Sequence, residues 1–77
     1  MATRRDPAQV PYIALRAKVT RTAKTKDPAR IVAVAQEVTT YFNLHLWPDN
    51  WPSWRNALTD GLAFGSPEHR TVEDLFS

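Results

Sequence analysis

The chain has 77 residues and no cysteine, which leaves room for one domain on a small core and excludes a disulfide framework, a thiolate nucleophile and a thiolate metal ligand. Its net charge of +2 conceals an asymmetry: residues 1–30 carry eight basic side chains against two acidic ones, whereas the remainder is net −4. The longest aliphatic run, IVAVA at 31–35, is far short of a membrane span or the core of a signal sequence, so a soluble cytoplasmic protein is expected.

Residues 1–9 hold two arginines and no apolar pattern, and are expected to be a flexible basic N-terminus of a single domain spanning 1–77. The next segment admits two readings. Ile13, Leu15, Ala17 and Val19 alternate with Ala14, Arg16, Lys18 and Thr20, as in a half-buried strand. Tyr12, Leu15, Arg16, Val19 and Ala23 also form one face of a helix, and Ala, Leu, Arg and Lys are good helix formers. A lone strand would need a partner that no other segment supplies, so the spacing favours a helix over 11–24.

Asp27-Pro28 is a helix start on chemical grounds. The carboxylate can accept from free first-turn amides, and a proline there loses no hydrogen bond. Beyond it Ile31, Val34, Ala35, Val38, Tyr41, Phe42 and His45 share one face, predicting a helix over 28–45 that ends before Pro48. All three tryptophans then fall within WPDNWPSW at 47–54. Asn50 as cap, or Trp51 in cap geometry with Pro52 as the first helical residue, would open a third helix over 51–63, with Trp54, Ala57, Leu58, Gly61 and Leu62 on its face. Gly65 ends that stretch, and Ser66-Pro67 opens a fourth helix over 67–76 with Val72, Leu75 and Phe76 apolar. The expected fold is an all-α bundle of about four helices.

Catalysis finds little support. His45 and His69 are far apart and have no cysteine or paired carboxylates at ligand spacing; His45 reads as a core-edge residue and His69 as exposed. Ser53 and Ser66 sit beside prolines at helix starts, where backbone contacts account for them. There is no glycine-rich phosphate loop. We therefore expect no enzyme, no cofactor and no metal.

Two kinds of binding are better supported. Trp51, Trp54 and Arg55 crowd residue types that anchor protein interfaces, and Phe76 in the tail TVEDLFS could join them. Against this, three large aromatic plates would also supply the core that so short a chain lacks; on that reading at least two indoles are interior and Trp51, at the apex, faces out. The tail is expected to cover the domain's own core. The alternative partner is DNA, met by Arg16, Lys18, Arg21, Lys24 and Lys26. A helix spreads these five around its circumference; a strand would aim Arg16, Lys18 and Thr20 at bases, as in ribbon-helix-helix dimers. An isologous homodimer fits either reading.

Two stretches carry a resemblance. ALRAKVTRTAKTKDPARIVAVAQEV at 14–38 resembles short proteins of actinobacterial phages and their hosts, in which a basic L-R-A-[R/K]-V helix precedes a turn and a D-P-A helix start. LWPDNWPSWRNALTD at 46–60 is similar to a W-P-D-x-W-x-x-W-x-x-A-x-x-D phrase of the same kind of small protein, with Pro52 at a variable position. The resemblance implies a phage or prophage origin and a helical accessory protein that binds and modulates a host protein; it assigns no functional residue.

Overall fold

The computed structural model describes residues 9–77, so the expectation for the N-terminus lies outside the described residues except at Gln9, where the first helix opens. Four helices follow: α1 (Gln9–Thr25), α2 (Pro28–Leu44), α3 (Trp51–Thr59) and α4 (Pro67–Leu75). The fold is the expected all-α bundle. No described helix is long and apolar enough to cross a membrane. Among the described residues there is no strand, which removes the ribbon-helix-helix arrangement. Leu15 and Val19, which both readings of the first segment made apolar, are buried one helical turn apart, as the helical period requires.

Local chemistry starts each helix. The Asp27 carboxylate accepts from the amides of Ala29 and Arg30 at 3.1 and 3.4 Å. Ser66 Oγ accepts from the His69 amide at 3.2 Å. Asn50 precedes α3 but makes no side-chain cap, because its amide oxygen serves an indole instead.

Around the bundle the order is α1, α2, α4, α3. α1 packs on α2 and α3, α4 on α2 and α3, while α1 and α4 occupy opposite corners. The core is a set of one-turn pairs facing inward: Leu15 and Val19, Ile31 with Val34, Ala35, Val38 and Phe42, Trp54 and Leu58, then Val72 and Phe76. Thr39 is the buried hydroxyl of α2 and donates to the Ala35 carbonyl at 2.9 Å, so its burial leaves no donor unpaired.

α3 stops at Thr59 rather than running on to 63, and the reason lies in Gly61. A Cβ there would stand 2.7 Å from the Ala23 carbonyl oxygen and 2.9 Å from Ile31 Cδ1. Gly61 therefore belongs to a close crossing of the chain over the α1–α2 corner, not to a helical face. Gly65 takes φ of 79° in the turn in which the Ser66 amide donates to the Ala63 carbonyl. Lys26, between α1 and α2, is also left-handed at φ of 55°, where a side chain is unfavourable.

These two backbone sites should respond oppositely to substitution. Gly61→Ala should destabilise the domain by about 1–3 kcal/mol, because the clash is with a backbone oxygen. Lys26→Gly should stabilise it by about 0.5–1 kcal/mol by relieving the left-handed residue at the helix end. Urea unfolding followed by circular dichroism measures both; equal, small shifts of either sign would contradict this account.

Candidate functional site

Phe42, near the end of α2, sits at the centre of an aromatic cluster. Its ring centroid is 5.0 Å from Trp54, 5.2 Å from Trp47, 5.9 Å from Tyr12 and 6.5 Å from Phe76. Trp47 meets Phe76 and Trp51 edge to face at 6.0 and 5.7 Å, extending the cluster outward to the α2–α3 corner. Most of these pairs adopt the edge-on arrangement that the ring quadrupole favours.

The N–H groups of two indoles find partners close in sequence. Trp47 Nε1 donates to Asn43 Oδ1 at 2.8 Å, and Trp54 Nε1 donates to Asn50 Oδ1 at 3.3 Å. The Tyr12 hydroxyl donates to the Leu46 carbonyl, tying the start of α1 to the corner. Arg16 lies over the Trp54 ring at 5.5 Å and Arg55 over the Trp51 ring at 5.3 Å.

The expected contact residues divide. Trp54 is 3% exposed and Phe76 1%, so both are interior and are withdrawn from the contact surface. Trp54 shares the inward face of α3 with Leu58, and Phe76 follows Val72 by one turn; the tail TVEDLFS covers the domain's own core. Trp51 and Arg55 remain half-buried at the surface, as does Trp47.

Beside them stands an apolar surface that periodicity did not mark. Leu44 is 75% exposed and Leu46 74%, and Ile13 is exposed on α1. Ile13 and Tyr12 line a shallow groove of about 290 Å³ with Pro48, Asn50 and the edge of Trp54. Leu44 falls one helical turn beyond Tyr41, off the Ile31–Phe42 face, and Leu46 lies past the helix end. The available signal was negative: these are large aliphatic residues at positions the buried faces do not use.

Both histidines differ from expectation. His69 is buried, because it shares the inward face of α4 with Val72; its Nδ1 is 2.9 Å from Glu73 Oε1 and its ring meets Phe64 at 5.2 Å. His45 is exposed, its ring tilted against Tyr41 at 4.3 Å, since the backbone leaves the helix at that residue with φ of −118° and ψ of −90°.

The five basic residues considered for DNA also separate. Lys18 pairs with Glu37 of α2 at 2.7 Å, and Arg21 is exposed on its own. Arg16, Lys24 and Lys26 instead line one groove between α1 and α3. Among the described residues, no group of three histidine or carboxylate side chains is placed to hold a metal ion. Comparison with known proteins finds no matching family model, and no curated protein or solved structure matches the chain.

The division of the tryptophans has a measurable consequence. Trp54→Ala should cost about 3–5 kcal/mol, a large part of the roughly 4–12 kcal/mol expected for a domain of this size. Trp51→Ala should cost clearly less and leave the helical circular dichroism spectrum in place. If Trp51→Ala unfolded the domain and Trp54→Ala did not, the roles given to the two rings would be reversed.

Proposed function

We propose that this chain is a non-enzymatic binding protein that docks a partner protein on the apolar corner formed by Ile13, Leu44, Leu46 and Trp51, with Arg55 at its edge. The observation that carries the reading is the exposure of Leu44 and Leu46, which flank the end of α2 and precede the half-buried Trp47 in sequence. Single exposed aliphatic residues are ordinary, but several gathered at one end of so small a domain form an adhesive surface. The cluster beneath them holds the backbone of the corner in place, so little ordering remains to be done on binding.

Charge narrows the chemistry of the partner. Among the described residues no carboxylate pairs with Arg55, whose guanidinium is held over Trp51. A partner offering aliphatic side chains beside an Asp or Glu would satisfy both the corner and this cation. The likeness to small actinobacterial phage proteins adds a source for that partner, namely a host protein that the chain modulates.

The test is affinity capture from an actinobacterial extract treated with nuclease, comparing the wild-type chain with Leu44→Glu, Leu46→Glu and Trp51→Ala. Leu44 and Leu46 contribute little to the core, so these variants should stay folded and should lose at least ten-fold of the captured protein. Phe64→Ser, at the opposite end of the bundle, should capture as well as wild type. Capture that is indifferent to the corner substitutions, or lost equally with Phe64→Ser, would sink the reading.

A further inference from the structure

Arg16, Thr20 and Lys24 succeed one another at four-residue spacing on α1, so they share a face and stand about 6 Å apart along the helix axis. With Lys26, Asp60 and Gly61 they line an open groove of about 380 Å³ between α1 and α3. Three cations and one carboxylate thus meet in one channel. Among the described residues, none of these three cations has a carboxylate within ion-pair distance. Arg16 is the best fixed of them. Its guanidinium lies 5.5 Å over the Trp54 ring, Nη2 is 3.4 Å from Ser53 Oγ, and Nη1 is without a hydrogen-bond partner.

We propose that this groove binds the phosphodiester backbone of a nucleic acid. Charge favours an anionic chain, and the rest of the lining separates a phosphate backbone from an acidic peptide. A docked peptide helix needs pockets for large apolar anchors, whereas the apolar part of this groove is made only by Ala23, Ala57 and Gly61. Phosphates need positive charge within reach of solvent, which the exposed Lys24 and Lys26 provide. The site is separate from the apolar corner, and either surface can fail its test without affecting the other.

Fluorescence anisotropy with a short labelled duplex, a labelled single strand and poly-glutamate tests the proposal on the full chain. If three phosphates are neutralised, the logarithm of the duplex affinity should fall against that of salt concentration with a slope of about −2.7, and Lys24→Gln/Lys26→Gln should reduce the slope to about −0.9. The single strand reports whether the spacing prefers a duplex, and binding to either form supports the site. Lys24→Gln alone should weaken binding several-fold, while Arg70→Gln on α4, which removes the same charge from a helix that does not touch α1, should change it less than two-fold. Both lysines are exposed, and unchanged circular dichroism verifies that the variants remain folded. Absence of binding to either nucleic acid at low salt would overturn the proposal. So would equal losses for Lys24→Gln and Arg70→Gln, which would mean diffuse attraction, or poly-glutamate binding as tight as the duplex, which would make the partner an acidic protein.

Discussion

The ring of Phe42 is the place where all four helices meet. Tyr12 reaches it from α1, Trp54 from α3 and Phe76 from the residue after α4, while Trp47 closes it from the connection that follows α2. A chain this short has few aliphatic residues to bury and no covalent staple, so area must come from large side chains. Aromatic plates supply it, and their mutual geometry adds about 0.5–1.5 kcal/mol for each well-formed pair beyond the area itself. α2 contributes five of the buried core residues, and the other helices are arranged around that one face.

Packing a tryptophan against a core carries a condition, because an indole N–H that loses water needs an acceptor. Here Asn43 and Asn50, each four residues before its tryptophan, provide one. The arrangement has a local cost at α3, whose first turn goes without a side-chain cap although Asn50 is in position to give one. The turn is held instead by backbone bonds, from the Trp51 amide to the Pro48 carbonyl at 3.0 Å and from Ser53 to Asn50 at 2.9 Å. Two prolines in the corner further limit the conformations open to the unfolded segment.

What could be read from the sequence follows how local the governing chemistry is. Asp27-Pro28 and Ser66-Pro67 were legible because cap and proline act within one turn of the residues that show them. The inward face of α2 was legible because one helix carries six apolar positions in phase, Ile31, Val34, Ala35, Val38, Tyr41 and Phe42. The first segment was harder, since Leu15 and Val19 fit both a two-residue and a four-residue period, and only helix propensity and the absence of a partner strand separate them. The end of α3 was not legible: Gly61 is in phase with Ala57 and Leu58, and its real constraint is the Ala23 carbonyl, far away in sequence. For the proposed corner, the sequence singled out Trp51, Trp54, Arg55 and Phe76, of which two are interior. Trp54 and Phe76 went inward, and the aliphatic surface came from Leu44, Leu46 and Ile13. Which of several adjacent aromatic rings faces out depends on the packing of four helices at once, and no spacing rule contains that information.

The three indoles also give the molecule a built-in optical record of its own state. They lie in two kinds of surroundings: Trp54 is enclosed beneath the Arg16 guanidinium, while Trp47, between Phe42 and Phe76, and Trp51, under Arg55, are half-buried. Emission from the enclosed ring follows the integrity of the interior, whereas emission from the two half-buried rings follows changes at the α2–α3 corner. One unlabelled sample therefore carries separate reporters of the interior and of the corner, and replacing the rings singly would resolve their contributions.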